Sequence, residues 1–457
     1  MISLSDQSGV PLGLLGRGSL EKSPDWIRLW EAWAQEGPAV FLESAGISGE
    51  ASQWSILAGK PEMEYFEKEG VPFLCATSGP VPGPPGFWEF CDRIGRVQTG
   101  FLPIPFCLTS AWFGILSYEF GSTNPAGWEF EPVPGYFFFK PTRLVAIHRA
   151  SREYFLFGRE SFDVFDPHPS TPPFKIQNLT TQKTSGEYEA MVREAKEYIA
   201  RGDIYQANLA QSFRTRWEGG PGNLYGTLRE LNPGPFMGIL KGRDFTVVSS
   251  SPERLAAGRG DWLETRPIAG TRPRGEDETR DLQLEVELKT NPKEQAEHLM
   301  LVDLARNDLG RVSRYGTVEV KRFAEVEKYA KVQHLVSTVQ SQRKGTATLS
   351  AILRSLFPGG TITGCPKIRC MEIIRELENR PRGFYTGSMG YLAPGPCFDL
   401  NILIRSFTLF RDGWLDFYAG AGIVADSDPQ KEYRETLYKV EALAQALGTT
   451  LIANVNH

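Results

Sequence analysis

Short apolar segments alternate with turn-forming residues along the first third of the chain. Residues 39–42 and 136–139 are continuous apolar runs, whereas residues 79–85 consist almost entirely of glycine and proline. Such runs between glycine and proline clusters are typical of β-strands joined by turns. The pattern predicts a β-rich N-terminal lobe over residues 1–165, and the polar, proline-rich residues 166–183 mark its boundary.

Helical periodicity begins beyond this boundary. Thr184 and Glu187 have the spacing of a capping box, and Met191 starts an apolar repeat at helical intervals. Polar side chains then alternate over residues 203–213, which indicates a strand. From there helices and strands mix without strict alternation, so we expect an α+β fold with a second, catalytic domain over residues 184–457.

Two later helices each carry a pair of glutamates on one face. In the first, which Asn291 can cap, Glu294 and Glu297 are three residues apart. Glu432 and Glu435 repeat this spacing near the C-terminus. Taken alone, such a pair is better explained as part of a solvated helix face. If the fold brings the faces together, their carboxylates form an oxygen-rich site suited to Mg²⁺.

Composition and charge argue against several classes of protein. The 457 residues are 41% hydrophobic and 23% charged, with a net charge of −5, which disfavours nucleic-acid or anionic-membrane partners. The cysteines and histidines show no zinc-binding spacing. Residues 359–367 lack the contiguous Gly-Lys-Ser/Thr of a phosphate loop. The N-terminal residues do not resemble a signal peptide and no apolar run could span a bilayer, so we expect a cytoplasmic protein.

Four long segments carry a resemblance to a known family. They are, in chain order, residues 267–275, 297–308, 359–367 and 419–424. They resemble signatures of the chorismate-using enzymes, in particular the large subunits of anthranilate synthase and aminodeoxychorismate synthase. The resemblance implies an anthranilate synthase component I-like fold, in which two antiparallel β-sheets pack together with helices on the outside. It also implies chorismate as the substrate and Mg²⁺ as the cofactor.

The same resemblance assigns roles to individual residues. Glu253 would act as the general acid or base, and His334 would assist departure of the 4-hydroxyl group. Arg405 would hold the enolpyruvyl carboxylate with its planar fork. The expected metal ligands are Glu297 and Glu435 directly, and Glu294 and Glu432 through water. The other expected substrate-binding residues are Gly270, Thr271, Thr361, Tyr391, Gly420, Ala421, Gly422 and Lys439.

Two positions bear on which member of the family the chain resembles. Family members that use water carry a lysine base where this chain has Gln206, so ammonia is the expected nucleophile. Many aminodeoxychorismate synthases carry a nucleophilic lysine where this chain has Ala269, which by itself favours anthranilate synthase. Residues 202–211 and 357–364 instead resemble aminodeoxychorismate synthase component I. We therefore expect formation of 4-amino-4-deoxychorismate, with anthranilate synthase component I as the alternative.

Two further expectations concern the source of ammonia and a second pocket. No cysteine lies in a Gly-x-Cys-x-Gly elbow, so ammonia would come from a separate glutamine amidotransferase subunit or from solution. Two segments resemble the tryptophan pocket of anthranilate synthases, although a packed interface without ligand fits them equally well. One segment comprises Leu42, Glu43 and Ser44, and the other comprises Pro235, Phe236 and Met237. A non-catalytic, amino-acid-sensing paralogue is the remaining alternative.

Overall fold

The structure is a computed structural model of the chain. It describes residues 11–20, 24–45, 53–96, 102–121, 133–164, 171–329 and 331–451. Residues 1–10 and the first part of the expected boundary, residues 166–170, lie outside these ranges. Every site residue expected from the sequence lies within them.

Several of the helices begin at a residue whose side chain caps the first turn. Thr184 caps one of them with the predicted capping box, in which its hydroxyl accepts from the nitrogen of Glu187 and the Glu187 carboxylate accepts from the nitrogen of Thr184. The helices are α1 (Trp26–Glu36), α2 (Phe87–Arg96), α3 (Ser185–Ala200), α4 (Pro221–Leu231), α5 (Glu278–Thr290), α6 (Pro292–Gly310), α7 (Leu349–Leu356), α8 (Lys367–Glu378) and α9 (Pro429–Ala446).

The strands of the described ranges all pair in antiparallel fashion. They are β1 (Gly13–Ser19), β2 (Ala39–Glu43), β3 (Trp54–Lys68), β4 (Val71–Ala76), β5 (Gly79–Pro80), β6 (Trp112–Leu116), β7 (Tyr136–His148), β8 (Glu153–Gly158), β9 (Lys175–Thr181), β10 (Gln206–Glu218), β11 (Phe236–Lys241), β12 (Phe245–Ser251), β13 (Arg254–Arg259), β14 (Trp262–Thr265), β15 (Ile268–Pro273), β16 (Glu319–Lys328), β17 (Val332–Gln342), β18 (Gly364–Cys365), β19 (Ser388–Ala393), β20 (Cys397–Asn401), β21 (Ser406–Phe410) and β22 (Trp414–Ile423).

Two long strands connect two antiparallel sheets. The pairing of β3 with β7 shifts register between Pro61 and Met63, a bulge of the kind that bends strands. On one side of this bulge the hydrogen bonding continues through β2, β11, β12, β21, β22 and β10. On the other side it continues through β6, β19, β20, β13, β14 and β17. The α+β class and the two-sheet architecture are therefore confirmed.

Alternating side chains explain how the sheets and helices pack. On β2, Val40 belongs to an apolar core that includes Phe113 and Met389 of the other sheet. The next residue, Phe41, points to the opposite face and packs in a cluster with residues of α1, α4 and α9. Strands from both sides of the expected boundary pair directly, since β2 joins β11 and β6 joins β19. The division into two domains stays a prediction.

The described residues contain no helix that combines the length and apolar character needed to cross a membrane.

Candidate active site

The two helices that carry the glutamate pairs begin at the predicted caps. The Asn291 side chain accepts hydrogen bonds from the nitrogens of Lys293 and Glu294, at 3.0 and 3.1 Å. Pro292 occupies the first turn of α6, where its missing N–H is tolerated. The Asp428 side chain caps α9 in the same way. These caps determine where each helix starts and therefore which residues share a face.

The four glutamates are electrostatic neighbours. Burial raises the pKa of Glu297, and the nearby carboxylates of Glu294 and Glu435 raise it further. Burial and Glu435 likewise raise the pKa of Glu432. Within the ranges that the structure describes, no three acidic, histidine or cysteine side chains converge closely enough to coordinate an ion. The donors nevertheless fit a divalent cation, because its charge would relieve the repulsion among these carboxylates.

Neighbouring polar groups partly compensate the charge of this cluster. Arg272 Nη1 donates to Glu294 Oε1 at 3.0 Å, and Gln206 Nε2 donates to Glu297 Oε1 at 2.9 Å. Desolvation opposes ionisation of Glu435, but the Lys439 ammonium group, 2.7 Å away, outweighs it and lowers the pKa of Glu435. Gln206 therefore lies at the acidic cluster, as the alternation in β10 suggests.

His334 is held as a neutral imidazole beside Gly270 and Thr271. Arg405 Nη2 lies 3.3 Å from His334 Nε2, and because arginine can only donate, Nε2 must accept. The proton is then on Nδ1, which lies 2.9 Å from Thr271 Oγ1 and 3.4 Å from the carbonyl oxygen of Gly270. Burial and the Arg405 charge lower the pKa of His334 to about 3. His334 thus has no dissociable cationic proton at neutral pH.

Glu253 is a buried carboxyl group with an unfilled hydrogen-bonding capacity. Burial raises the pKa of Glu253 to about 7, although Thr361 and Arg405 oppose this effect. Neither Glu253 Oε1 nor the Thr361 hydroxyl completes a hydrogen bond within the described structure. Both line a cavity between α6 and the loop at Gly360. A buried carboxyl group that is half protonated near pH 7 is suited to acid–base chemistry.

Two glycines on β22 let polar side chains of the site approach the backbone closely. A Cβ atom on Gly420 would collide with Asn208 Oδ1 and lie 3.1 Å from the Tyr385 hydroxyl group. A Cβ atom on Gly422 would lie 2.5 Å from Gln206 Nε2 and 3.3 Å from Glu297 Oε1. Lys439 Nζ donates to the carbonyl oxygen of Gly420 at 3.0 Å, which ties α9 to this strand.

Ala421 and Ala269 lie next to glycines of the site, Ala421 on β22 and Ala269 on β15. The Ala421 side chain points into the core beside α3 and α8, so only its backbone can face a ligand. Ala269 is buried on β15, directly before the bulge at Gly270.

The structure corrects the prediction for Tyr391. Its ring packs against Phe113 in the core between the sheets, with centroids 5.9 Å apart, because alternation along β19 turns it inward. The tyrosine at the site is Tyr385, which lies beside Gly420 and stacks on Tyr418 at 5.1 Å. Asn208 also lies beside Gly420, although the sequence motifs do not assign it to the site. Its alternation with Gln206 along β10 is the sequence signal that could have identified it.

The two segments of the expected tryptophan pocket are adjacent. Met237 of β11 pairs with Glu43 of β2, and Ser44 is buried beside them. The Glu43 carboxylate accepts from the Tyr225 hydroxyl group at 2.7 Å and forms an ion pair with Arg229 at 2.7 Å. Both of these contacts involve Oε1, and Arg229 Nη2 donates to Oε2 at 3.0 Å, so the protein itself holds both oxygens of Glu43. Leu42, Pro235 and Phe236 occupy the same neighbourhood, and a tryptophan site there stays a prediction.

Gly270 provides a test of the local backbone. Its φ of +71° favours glycine, and an added Cβ would lie 2.7 Å from Glu294 Oε2 and 2.8 Å from Leu288 Cδ1. We expect Gly270→Ala to lower the free energy of unfolding by about 1–3 kcal/mol, measured by urea denaturation. Gly310→Ala is the matched control, because its φ is ordinary and its Cβ would meet open space. Equal stability of Gly270→Ala and the wild type would contradict the strained geometry.

Comparison with known proteins defines the class to which this fold and site belong. Residues 86–445 match the family of chorismate binding enzymes, and the chain belongs to that family. Anthranilate synthase component 1 of Aquifex aeolicus is 49% identical over 280 residues, which cover 60% of this chain and 55% of that protein. Aminodeoxychorismate synthase component 1 of Bacillus subtilis is 48% identical over 265 residues, covering 58% and 56%. The matched region thus spans little more than half of each relative.

Solved structures show the same architecture. Anthranilate synthase component I from Streptococcus pneumoniae has a TM-score of 0.75 and 29% identity, covering 86% of this chain and 93% of that one. The menaquinone-specific isochorismate synthase of Escherichia coli has a TM-score of 0.73 at 19% identity, covering 96% and 95%. The second likeness concerns the fold alone.

Proposed function

We propose that the chain is an aminodeoxychorismate synthase component I. It would replace the 4-hydroxyl group of chorismate by an amino group from ammonia, for the synthesis of 4-aminobenzoate and folate. The observation that carries amination is Gln206, whose amide contacts Glu297 at 2.9 Å. An amide cannot deprotonate water, whereas ammonia is a nucleophile without a base.

The binding groups divide according to the charges of the substrate. Arg405 and Tyr385 would hold the enolpyruvyl carboxylate, with Thr361 beside them. The backbone of residues 420–422, supported by Lys439, would face the ring carboxylate. Mg²⁺ bound by the four glutamates would neutralise that carboxylate and polarise the leaving hydroxyl group as a Lewis acid.

Glu253 is the group that can supply a proton at neutral pH. Its pKa of about 7 leaves a substantial protonated fraction, whereas the pKa of His334 is about 3. We therefore assign proton transfer to Glu253. His334 would act as a neutral imidazole that orients Arg405 and Thr271.

Ala269 constrains the route rather than the final product. Its methyl group cannot attack chorismate, so no covalent enzyme intermediate forms at this position. Ammonia would first add at C2 as the 4-hydroxyl group leaves as water. A second ammonia would then add at C4 while the amino group at C2 leaves as ammonia. Nitrogen atoms and protons therefore balance in this step. A glutamine amidotransferase subunit would deliver this ammonia.

Anthranilate synthase component I is the second candidate function. The observations that favour it are the alanine at position 269 and the similarity to anthranilate synthases at 49% sequence identity. In this alternative the C2 amine stays in place and pyruvate is eliminated to give anthranilate.

One incubation distinguishes the candidates. The protein is mixed with chorismate, MgCl₂ and an ammonium salt, and the products are separated by chromatography. A product that becomes 4-aminobenzoate only after a lyase is added supports the proposal, whereas anthranilate fluorescence supports the second candidate. Chorismate that stays unchanged would exclude both enzymes and favour the non-catalytic paralogue.

Tyr385 and Tyr391 form a matched pair for testing the substrate site. We expect Tyr385→Phe to raise the KM for chorismate about tenfold, because a hydrogen bond to a charged carboxylate is lost. Tyr391→Phe should leave KM unchanged, since this ring lies in the core. Steady-state kinetics at saturating Mg²⁺ and ammonium provide the measurement, and an increased KM in Tyr391→Phe alone would reverse the assignment.

A further inference from the structure

A buried arginine contacts chain segments that carry residues of the candidate active site. The Arg382 side chain is only 1% exposed and forms an ion pair with Glu378, which is four residues earlier in the chain. Arg382 Nε donates to Glu378 Oε2 at 2.9 Å, and Nη2 donates to Glu378 Oε1 at 2.6 Å. This two-point pairing compensates the cost of burying the charge.

The remaining donors of Arg382 reach three separate segments. Nη2 donates to the carbonyl oxygen of Asn208 at 2.6 Å, and Nη1 donates to the carbonyl oxygen of Ile362 at 2.9 Å. Nη1 also lies 3.3 Å from Thr386 Oγ1. All five N–H groups of the guanidinium are thus used, which lysine could not reproduce with its three donors.

Each of these segments carries a group of the candidate site. Asn208 lies two residues after Gln206 on β10, and its side-chain oxygen faces Gly420. Ile362 directly follows Thr361. The guanidinium also lies 5.7 Å from the ring centroid of Tyr385. Arg382 therefore joins the backbones that position Gln206, Thr361 and Tyr385.

Other contacts hold Arg382 itself in place. The Glu119 carboxylate accepts from the backbone nitrogens of Arg382 and Gly383, at 2.6 and 3.0 Å. Glu378 Oε1 also accepts from the nitrogen of Ala210 at 2.8 Å, so the ion pair connects to β10 at a second point. The arrangement is a fully satisfied polar network, which specifies geometry more strongly than apolar packing.

We propose that Arg382, supported by Glu378, is a positioning residue that fixes the loop of Thr361 and strand β10 relative to Tyr385 for chorismate binding. The inference rests on the proposed function. Arg382 does not touch the substrate. It acts through the three segments whose carbonyl and hydroxyl groups it binds.

The test compares Arg382→Lys and Glu378→Gln with wild-type protein. We expect Arg382→Lys to raise the KM for chorismate at least tenfold, and Glu378→Gln to raise it by a smaller factor in the same direction. A purely structural role would lower the melting temperature and the active fraction, hence apparent kcat, without moving KM. If Arg382→Lys does not fold, Glu378→Gln decides the outcome, because it keeps the shape of the side chain.

Arg214→Lys is the matched control. Arg214 also forms a two-point ion pair, with Asp416 at 2.5 and 2.9 Å. It lies eight residues beyond Gln206 on β10, about 26 Å away at the usual rise per residue. We expect the KM of Arg214→Lys for chorismate to equal that of the wild type. A KM for Arg382→Lys and Glu378→Gln within twofold of wild type would overturn the proposal.

Amide hydrogen exchange separates this inference from the proposed function. In Arg382→Lys we expect the backbone amides of Asn208 and Ala210 to exchange faster than in the wild type. In Arg214→Lys we expect exchange at the same two amides to be unchanged. If wild-type protein consumes no chorismate, the proposed function fails, yet this measurement still decides whether Arg382 fixes β10. Unchanged exchange at both amides would refute the positioning role by itself.

Discussion

Replacing Glu297 by glutamine is expected to abolish turnover of chorismate while the protein stays folded. Glu297 is a predicted direct ligand of Mg²⁺, and its raised pKa reflects burial beside Glu294 and Glu435. A neutral amide is a much poorer ligand for a hard cation. Loss of several kcal/mol of Lewis-acid stabilisation corresponds to a rate decrease of roughly a thousandfold. Chorismate consumption at saturating Mg²⁺ provides the measurement.

Two further measurements make this result specific to the metal. Asp303 lies on the same helix, but its carboxylate is 73% exposed and pairs with Arg306. The activity of Asp303→Asn should therefore stay near normal. Isothermal titration calorimetry should show weaker Mg²⁺ binding for Glu297→Gln and unchanged binding for Asp303→Asn. Near-normal turnover of Glu297→Gln would falsify the proposed metal site.

Replacing Glu253 by glutamine is the second change with a large expected effect. Glutamine preserves the shape of the side chain but cannot transfer a proton, so kcat should fall about 10²- to 10⁴-fold. The KM for chorismate should change little, because Arg405 and strand β22, which carries Gly420 and Gly422, stay in place. Glu253→Asp should recover part of the lost rate, since it restores a titratable group.

The pH dependence provides an independent check on Glu253. Burial raises the pKa of Glu253 to about 7, so its protonated form predominates below pH 7 and declines above it. If Glu253 donates a proton, kcat should decrease as pH rises through 7 in the wild type. The residual rate of Glu253→Gln should lack this inflection. An identical inflection in both proteins would assign the titration to another group.

The caps and helix faces could be predicted from local sequence. Thr184 and Asn291 form the expected hydrogen bonds, because a cap depends only on residues a few positions away. The buried face of α9 could also be predicted from local sequence, and its Leu437 and Val440 are only 4% and 1% exposed. Spacing alone could not decide whether the glutamate pairs meet.

The site chemistry depended on contacts between distant parts of the chain. Arg382 bonds to the carbonyl group of Asn208, 174 positions away, and no local pattern indicates such a pair. Tyr385 and Tyr391 are only six residues apart, yet one lies at the site and the other in the core. Strand alternation and the turn before β19 determine that difference.

The sequence by itself determined the α+β class, the helix starts, the glutamate spacing and the family signatures, because these properties depend on short-range order along the chain. Only the tertiary structure decided which tyrosine lies beside Gly420, how far burial raises the pKa of Glu253 and how His334 is protonated. Burial and the fields of neighbouring charges set these properties, and both exist only when distant segments have been brought together.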